Sequence, residues 1–212
     1  MPSSIRTAFP QLAPELLNVL ELKAEINQYP TGSILEMRGA HARQALLVTR
    51  GIIKIYRVDD QGAEYFIYYL RAGEACALSM FPAEEGARYR LRGKVVEELR
   101  MVHVPVEYVE KWMLDYPSWY QFVMDTYRKC FEELLGALDR AAFLSLEERL
   151  LCFLRRQREI YNDHIITVNH TEMAQELNSS REVISRLMKK LAERGKVNYL
   201  RPQQVEIISL DF

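Results

Sequence analysis

The sequence predicts an α+β chain with a β-rich N-terminal part, one long helix and a C-terminal part of short helices and strands. Three observations predict this order. Glycines separate short apolar runs between residues 24 and 104, apolar residues recur at steps of three and four from Tyr120 to Leu138, and two short amphipathic helices precede two strand-like runs. The composition, 49% hydrophobic and 27% charged, is ordinary for a globular chain.

The N-terminal part reads as strands joined by glycine turns. Gly51, Gly62 and Gly73 separate three strand-like runs, and Asp59–Gly62 is typical of a hairpin turn. The runs are Ala45–Thr49, Ile52–Val58 and Tyr65–Leu70. Short strands at regular spacing favour a barrel or sandwich that holds a small ligand. A barrel that only scaffolds the rest of the chain is the alternative.

A long helical stretch follows from Val106 to about residue 142, broken near Pro117. Its second part has the three-and-four spacing of a coiled-coil seam, which predicts dimerisation. The seam residues are Tyr120, Met124, Tyr127, Phe131, Leu134 and Leu138. The same stripe could instead pack on the helix's own barrel.

Two short helices joined by a tight turn are predicted from Asn169 to Lys196. Asn169 and Glu172 have capping-box spacing, Asn178 suits a left-handed turn, and Ser179 and Ser180 can cap the second helix. Met173, Ala174 and Leu177 form one apolar face, and Val183, Ile184, Leu187 and Leu191 form the other. Ser145–Glu148 is a further capping box, whose helix would pack through Leu146, Leu150, Leu151, Phe153 and Leu154.

The second of these helices carries a polar face that favours a helix lying in the DNA major groove. That face holds Arg181, Glu182, Ser185, Arg186, Lys189 and Lys190. The whole chain has a net charge of −1, but residues 179–196 hold six basic residues against Glu182 and Glu193, a local net of +4. Two strand-like runs, 197–200 and 205–210, would form a wing. The alternative for the polar face is a solvated amphipathic helix.

Several other classes of protein and site are not expected. No apolar run approaches the length of a membrane span, and the N-terminus lacks the apolar core of a signal peptide. Cys76, Cys130 and Cys152 are few and far apart, which indicates the cytoplasm. The four histidines lack metal-ligand spacing, so we expect neither a cysteine-ligated metal nor haem. No catalytic constellation is found, so an enzyme is not expected.

This order of barrel, seam helix and winged helix-turn-helix resembles the cyclic-AMP receptor and fumarate–nitrate regulator (CRP/FNR) family of bacterial transcription factors over nearly the whole chain. The resemblance is strongest at Arg181-Glu182-Val-Ile-Ser185-Arg186, which is similar to the family's R-E-x-x-S/G-R recognition helix. It extends to three sites in the barrel, at Gly51, Asp59-x-x-Gly62 and Gly73-Glu74.

The resemblance implies a double-stranded β-helix (jelly-roll) sensor domain at residues 1–107, a dimerisation helix at 108–143 and a winged helix-turn-helix at 144–212. It also implies a homodimer that binds double-stranded DNA and contacts RNA polymerase. Arg181, Glu182, Ser185 and Arg186 would contact bases, with a G·C pair expected in each half-site. The phosphate contacts would be His170, Thr171, Ser179, Ser180 and Lys189.

The chain departs from the cyclic-nucleotide-binding members of the family. Where they carry a Glu for the ribose and an Arg-Ser pair for the phosphate, this chain has Leu78 and Ala87-Arg88. Because a buried phosphate needs a charged partner, cyclic AMP is not expected, although Arg88, Arg90 or Arg92 could substitute. The iron–sulfur type is not expected either, since its N-terminal cysteine cluster is absent. The pocket would be lined by Cys76, Leu78, Ser79, Arg88 and Tyr127.

Three hypotheses follow. The first is a homodimeric, sequence-specific regulator whose barrel responds to a signal and reorients the two recognition helices. The second is a DNA binder that needs no effector and has a silent barrel. The third is a ligand-binding regulatory subunit that acts on another protein. Cys76 is either a redox sensor or a buried structural thiol.

Overall fold

A computed structural model describes residues 4–37, 44–59, 61–62, 64–80 and 90–210, apart from the side chains of residues 37, 90, 137 and 140–142. The chain divides into two compact units, residues 1–135 and 136–212. The sequence-based division at residues 107 and 143 stays a prediction. No helix within the described ranges is long and apolar enough to cross a membrane.

The first unit contains an antiparallel sheet, with helices before and after its strands in the sequence. Its elements are α1 (Ser4–Ala8), α2 (Pro14–Lys23), β1 (Glu25–Tyr29), β2 (Ile34–Met37), β3 (Gln44–Val58), β4 (Glu64–Arg71), a 3-10 turn (Ala77–Ser79), β5 (Arg90–Pro105), α3 (Val106–Asp115) and most of α4 (Pro117–Phe143). The strand order is β1-β5-β3-β4, and β2 also pairs with β5. The predicted α+β class and antiparallel N-terminal domain are confirmed.

The predicted break between two strands at Gly51 is wrong, because β3 runs continuously from Gln44 to Val58. Gly51 lies instead where the register between β3 and β5 shifts. Its φ of +84° belongs to the left-handed region, and a Cβ there would lie 2.9 Å from the Glu97 carbonyl oxygen and closer still to that of Glu98. A glycine therefore lets two strands approach where any side chain would collide with backbone.

Gly51→Ala is expected to destabilise the protein by more than about 2 kcal/mol, because backbone strain and a clash with backbone act together. Gly32→Ala is the matched control. Gly32 has nearly the same φ, +85°, but a Cβ there meets nothing within 4 Å. Strain alone should cost about 1 kcal/mol. Denaturant unfolding of both variants checks this, and equal losses would remove the close-approach explanation.

Two N-terminal helices complete the core of the first unit, and the sequence reading made no prediction for them. Leu16, Leu17 and Leu20 of α2 are buried in one hydrophobic cluster that also contains Trp112 of α3 and Trp119 of α4. Pro14 begins α2, where its missing N–H costs nothing. A second core between the strands contains Ile53, Ile55, Tyr68, Leu70 and Cys76.

Helix α4 presents two different faces. The predicted break near Pro117 is confirmed, since α3 ends at Asp115 and α4 begins at Pro117. One face of α4 is buried in the first unit through Trp119, Phe122 and Val123. The adjacent face exposes a stripe of large apolar side chains: Tyr120, Met124, Phe131, Leu134, Leu135 and Leu138.

The second unit is built from α5 (Leu146–Tyr161), β6 (Ile165–Thr167), α6 (His170–Glu176), α7 (Arg181–Glu193), β7 (Val197–Arg201) and β8 (Gln204–Ile207). Its sheet has the order β6-β8-β7, so the predicted two-stranded wing gains a third strand, and its second strand ends earlier than predicted. Leu150, Leu151 and Leu154 of α5 lie in the core, and Leu146 and Phe153 pack against it, as predicted.

Candidate nucleic-acid interface

Local chemistry fixes where α6 and α7 begin. Asn169 Oδ1 accepts a hydrogen bond from the Thr171 amide at 2.9 Å, and Ser180 Oγ accepts one from the Val183 amide at 3.3 Å. Between the helices Asn178 has a φ of +49°, as predicted for the turn. The predicted capping box requires the Asn169 side chain to bond the third amide of α6, that of Glu172. Asn169 instead bonds the second amide, that of Thr171.

The core holds α7 by one face and leaves the opposite face in solvent. Ile184, Met188 and Leu191 are buried, whereas Val183 and Leu187 are only half-buried. The predicted apolar face was therefore partly wrong: it omitted Met188, which fits the same three-and-four spacing. All six residues of the predicted polar face are exposed: Arg181, Glu182, Ser185, Arg186, Lys189 and Lys190.

Electrostatics at the N-terminus of α7 keep Glu182 ionised. Its pKa is lowered by a hydrogen bond from its own backbone amide, by the Ser180 hydroxyl and by the charge of Arg181. A carboxylate in the first turn also suits the positive end of a helix. Glu182 can therefore act only as a hydrogen-bond acceptor at neutral pH.

The N-terminus of α6 lies beside that of α7 and beside the wing. Tyr199 Oη on β7 is 3.4 Å from His170 Nε2. Partial burial, and after it the charge of Arg181, lower the pKa of His170 below its ordinary value of 6.5. His170 is thus largely neutral at pH 7. The remaining candidate phosphate ligands are exposed, apart from the half-buried Ser179: Thr171, Ser179, Ser180 and Lys189.

An acidic residue of α5 binds the last turn of α7. Glu147 Oε2 accepts a hydrogen bond from Lys190 Nζ at 2.6 Å, and Glu147 Oε1 accepts one from Arg194 Nη1 at 2.6 Å. These cations lower the pKa of Glu147, Lys190 contributing most. Sequence reasoning counted both cations toward the local charge of +4 and missed Glu147. No local signal reveals a partner more than 40 residues away in the chain.

Four of the five predicted effector-pocket residues lie among the described residues. Cys76 and Ser79 are buried, and Tyr127 is half-buried beside them. Leu78 is 46% exposed, and Arg88 lies outside the described residues. Of the other arginines considered as phosphate anchors, Arg92 binds Glu36 and Glu64, and the side chain of Arg90 is not among those described.

The described polar groups of this region bond to one another. Ser79 Oγ donates to the Cys76 carbonyl at 2.7 Å and accepts from the Leu46 amide at 2.9 Å. Tyr127 Oη donates to the Ala77 carbonyl at 2.9 Å, which ties α4 to the 3-10 turn. Burial, above all, raises the pKa of Tyr127 to about 12, so its hydroxyl stays protonated.

Cys76 fits a buried structural thiol better than a redox sensor. Its side chain is fully buried, and its Sγ lies 3.5 Å from Tyr68 Oη. Burial raises the pKa of the Cys76 thiol, so the nucleophilic thiolate is scarce at neutral pH. Reactive cysteines require the opposite environment, one that is exposed and electropositive.

Comparisons with known proteins agree with the geometry of both units. Residues 146–211 match the model of the Crp-like helix-turn-helix domain. The global nitrogen regulator of Synechococcus elongatus is 22% identical over 181 residues, covering 82% of this chain and 81% of that protein.

Solved structures share the fold along nearly the whole chain. A transcriptional regulator of the CRP/FNR family from Eubacterium rectale superposes with a TM-score of 0.76 at 18% identity, covering 97% of this chain and 96% of that one. The c-di-GMP responsive global regulator CLP of Xanthomonas campestris gives 0.77 at 19% identity, covering 92% and 98%. Residues 146–211 are thus similar to a Crp-like helix-turn-helix domain, and the chain shares the fold of these two solved regulators, in agreement with the resemblance found in the sequence.

Proposed function

We propose that the protein is a homodimeric regulator that reads a palindromic DNA site with α7 in the major groove. The observation that carries this proposal is the division of α7 into a buried apolar face and an exposed face of hydrogen-bonding side chains. Arg186 suits the acceptors of guanine, and the ionised Glu182 suits the amine of cytosine. Arg181 and Ser185 complete the base-reading group.

The phosphate contacts that we propose surround these residues. His170 and Thr171 are the first two residues of α6, and Ser180 is the cap of α7, so all three lie at helix N-termini. Such positions attract phosphate through free amides and the helix dipole. Ser179 and Lys189 are the other two members of the set.

Dimerisation through α4 is the second part of the proposal. The exposed stripe on α4 includes five of the six predicted seam residues, while Tyr127 is half-buried against the first unit. A stripe of this size in solvent is unfavourable, and a second copy of α4 would cover it. Two-fold symmetry would then present two recognition helices about 34 Å apart, one turn of the duplex. RNA polymerase is the further partner that we propose, on the family resemblance alone.

Selection from random-sequence duplexes tests this proposal. The purified protein should enrich a palindrome whose half-sites are centred about 10 base pairs apart. Its affinity should fall steeply with salt, because phosphate contacts release counterions. Weak binding without salt dependence would instead favour a regulatory subunit that acts on another protein.

One observation favours the effector-independent version of this function. The described polar groups around Cys76 and Ser79 are satisfied by other residues of the first unit. We therefore expect the protein to bind its selected site tightly without any additive. Operator affinity that appears only when a cell extract or a small molecule is added would favour a barrel that responds to a signal.

Operator affinity is expected to rise as the pH falls from about 7.5 to 5.5. A phosphate beside His170 would raise its pKa, which burial and Arg181 hold below 6.5 in the free protein. A group whose pKa rises on binding takes up a proton, so binding strengthens as the pH decreases. His170→Gln should remove most of this dependence. Equal pH profiles for the two proteins would contradict the phosphate contact at His170.

A further inference from the structure

We propose that Glu147 is a positioning residue for DNA recognition: by binding Lys190 and Arg194, it holds the last turn of α7 on the start of α5. This inference rests on the proposed function. It adds that two basic residues at the C-terminal end of the recognition helix serve the protein's own geometry rather than phosphate. The Glu147 side chain therefore raises the preference for the right sequence while lowering the attraction to DNA in general.

The geometry divides α7 into two halves. Its first turns carry the proposed base-reading side chains and are capped by Ser180. In the last turn Lys190 and the following Arg194 lie four residues apart, on one side of the helix. Each reaches a different oxygen of the same carboxylate at 2.6 Å, so both cations are held at once.

Helix polarity reinforces this clasp of Glu147, Lys190 and Arg194. Glu147 stands in the first turn of α5, next to the capping box of Ser145 and Glu148. A carboxylate is favoured at a helix N-terminus, and cations are favoured at a C-terminus. The clasp therefore joins the positive end of α5 to the negative end of α7 with charges that suit both ends.

The clasp changes how α7 meets DNA. Lys190 and Arg194 remain 45% and 50% exposed, so either could reach a phosphate if released. Released cations would add sequence-independent attraction, since phosphates are alike at every site. They would also let the end of α7 move relative to α5, and base reading by the first turns depends on a fixed angle in the groove.

Glu147→Gln tests this directly. The variant should fold, because exposed ion pairs contribute little to stability. It should bind an unrelated duplex more tightly than the wild type, with a salt slope steeper by up to about 0.9 for each released cation. Its preference for the selected operator over the unrelated duplex should fall.

Glu193→Gln is the matched control. It removes one negative charge from the same end of α7, where Glu193 lies 3.9 Å from Lys189, but leaves the clasp intact. The double variant Lys190→Gln, Arg194→Gln provides the second arm. In that background Glu147→Gln should change neither the salt slope nor the operator preference, because no cations remain to be released.

These measurements distinguish a failure of the proposed role of Glu147 from a failure of the proposed DNA-binding function. If Glu147→Gln and Glu193→Gln have the same salt slope and the same preference for the operator, the proposed role of Glu147 is overturned. An equal effect of Glu147→Gln with and without the two cations would also overturn it, because that result would indicate a general loss of structure. A wild type that selects no preferred sequence would remove the proposed function instead. The slope on unrelated DNA would still test the clasp.

Discussion

Phe131→Glu together with Leu138→Glu is expected to convert the protein to monomers and to lower its affinity for a palindromic site about 100-fold or more. The two side chains are 62% and 63% exposed in the single chain, so their replacement leaves the core of the fold untouched. In a two-fold dimer each would face its copy across the α4 seam. Four buried carboxylates in that seam would be strongly unfavourable.

The loss of affinity follows from linking two half-site contacts. When one subunit binds its half-site, the second binds with a high effective concentration, and monomers lose that advantage. Sedimentation and titration of the selected operator measure the two effects separately. Binding to a single half-site should change little, because α7 is not altered.

Leu114→Glu is the control for this experiment. Leu114 is 89% exposed on α3, so the substitution adds one carboxylate, half the charge of the double variant, at a still more accessible apolar position outside the stripe. It should leave both the oligomeric state and the operator affinity unchanged. A monomer–dimer equilibrium unaffected by the double substitution in α4 would contradict the seam.

The elements that sequence reasoning recovered are those with strong local signals. The turn at Asn178, the cap at Ser180 and the capping box at Ser145 each depend on a few neighbouring residues, and all three are present. The spacing of Met173, Ala174 and Leu177 likewise identified the buried face of α6. Local backbone chemistry is sufficient for such features.

What sequence reasoning missed depends on contacts between distant segments. Gly51 looked like a strand terminus, because a lone glycine between apolar runs usually marks a turn. Its role is instead a close approach to the backbone of β5, which only the pairing of two long strands creates. Strand β6, which adds a third strand to the C-terminal sheet, has only three residues and therefore gives no clear local signal in the sequence.

In the candidate site, too, local features were predicted and contacts between distant residues were not. Exposure of the polar face of α7 was predicted, because helical periodicity fixes which side chains share a face. The lowered pKa of His170 was not predicted, since it arises from partial burial and from the charge of Arg181 on another helix. The clasp of Glu147 with Lys190 and Arg194 was also hidden, and it leaves fewer cations free than the sequence count implied.

Substitution of Arg186 is the most direct test of the proposed base-reading role of α7. Arg186→Ala is expected to weaken binding to the selected operator by about 1–3 kcal/mol, roughly 5-fold to 150-fold, and to relax the preference at one G·C pair. Arg186 is exposed one turn after Glu182, so the two side chains can reach neighbouring base pairs. Glu182→Ala should relax a neighbouring position by a similar amount.

Lys189→Ala separates base reading from charge. Lys189 is exposed on the same helix and carries the same charge as Arg186, but we assign it to phosphate. Its loss should weaken selected and unrelated duplexes alike and reduce the salt slope by about 0.9 for each contact removed. Selection repeated with the Arg186→Ala protein should change the enriched sequence, whereas selection with Lys189→Ala should return the original one. An unchanged sequence from both variants, and from Glu182→Ala, would remove the base-reading role of α7, because phosphate contacts alone cannot distinguish one duplex from another.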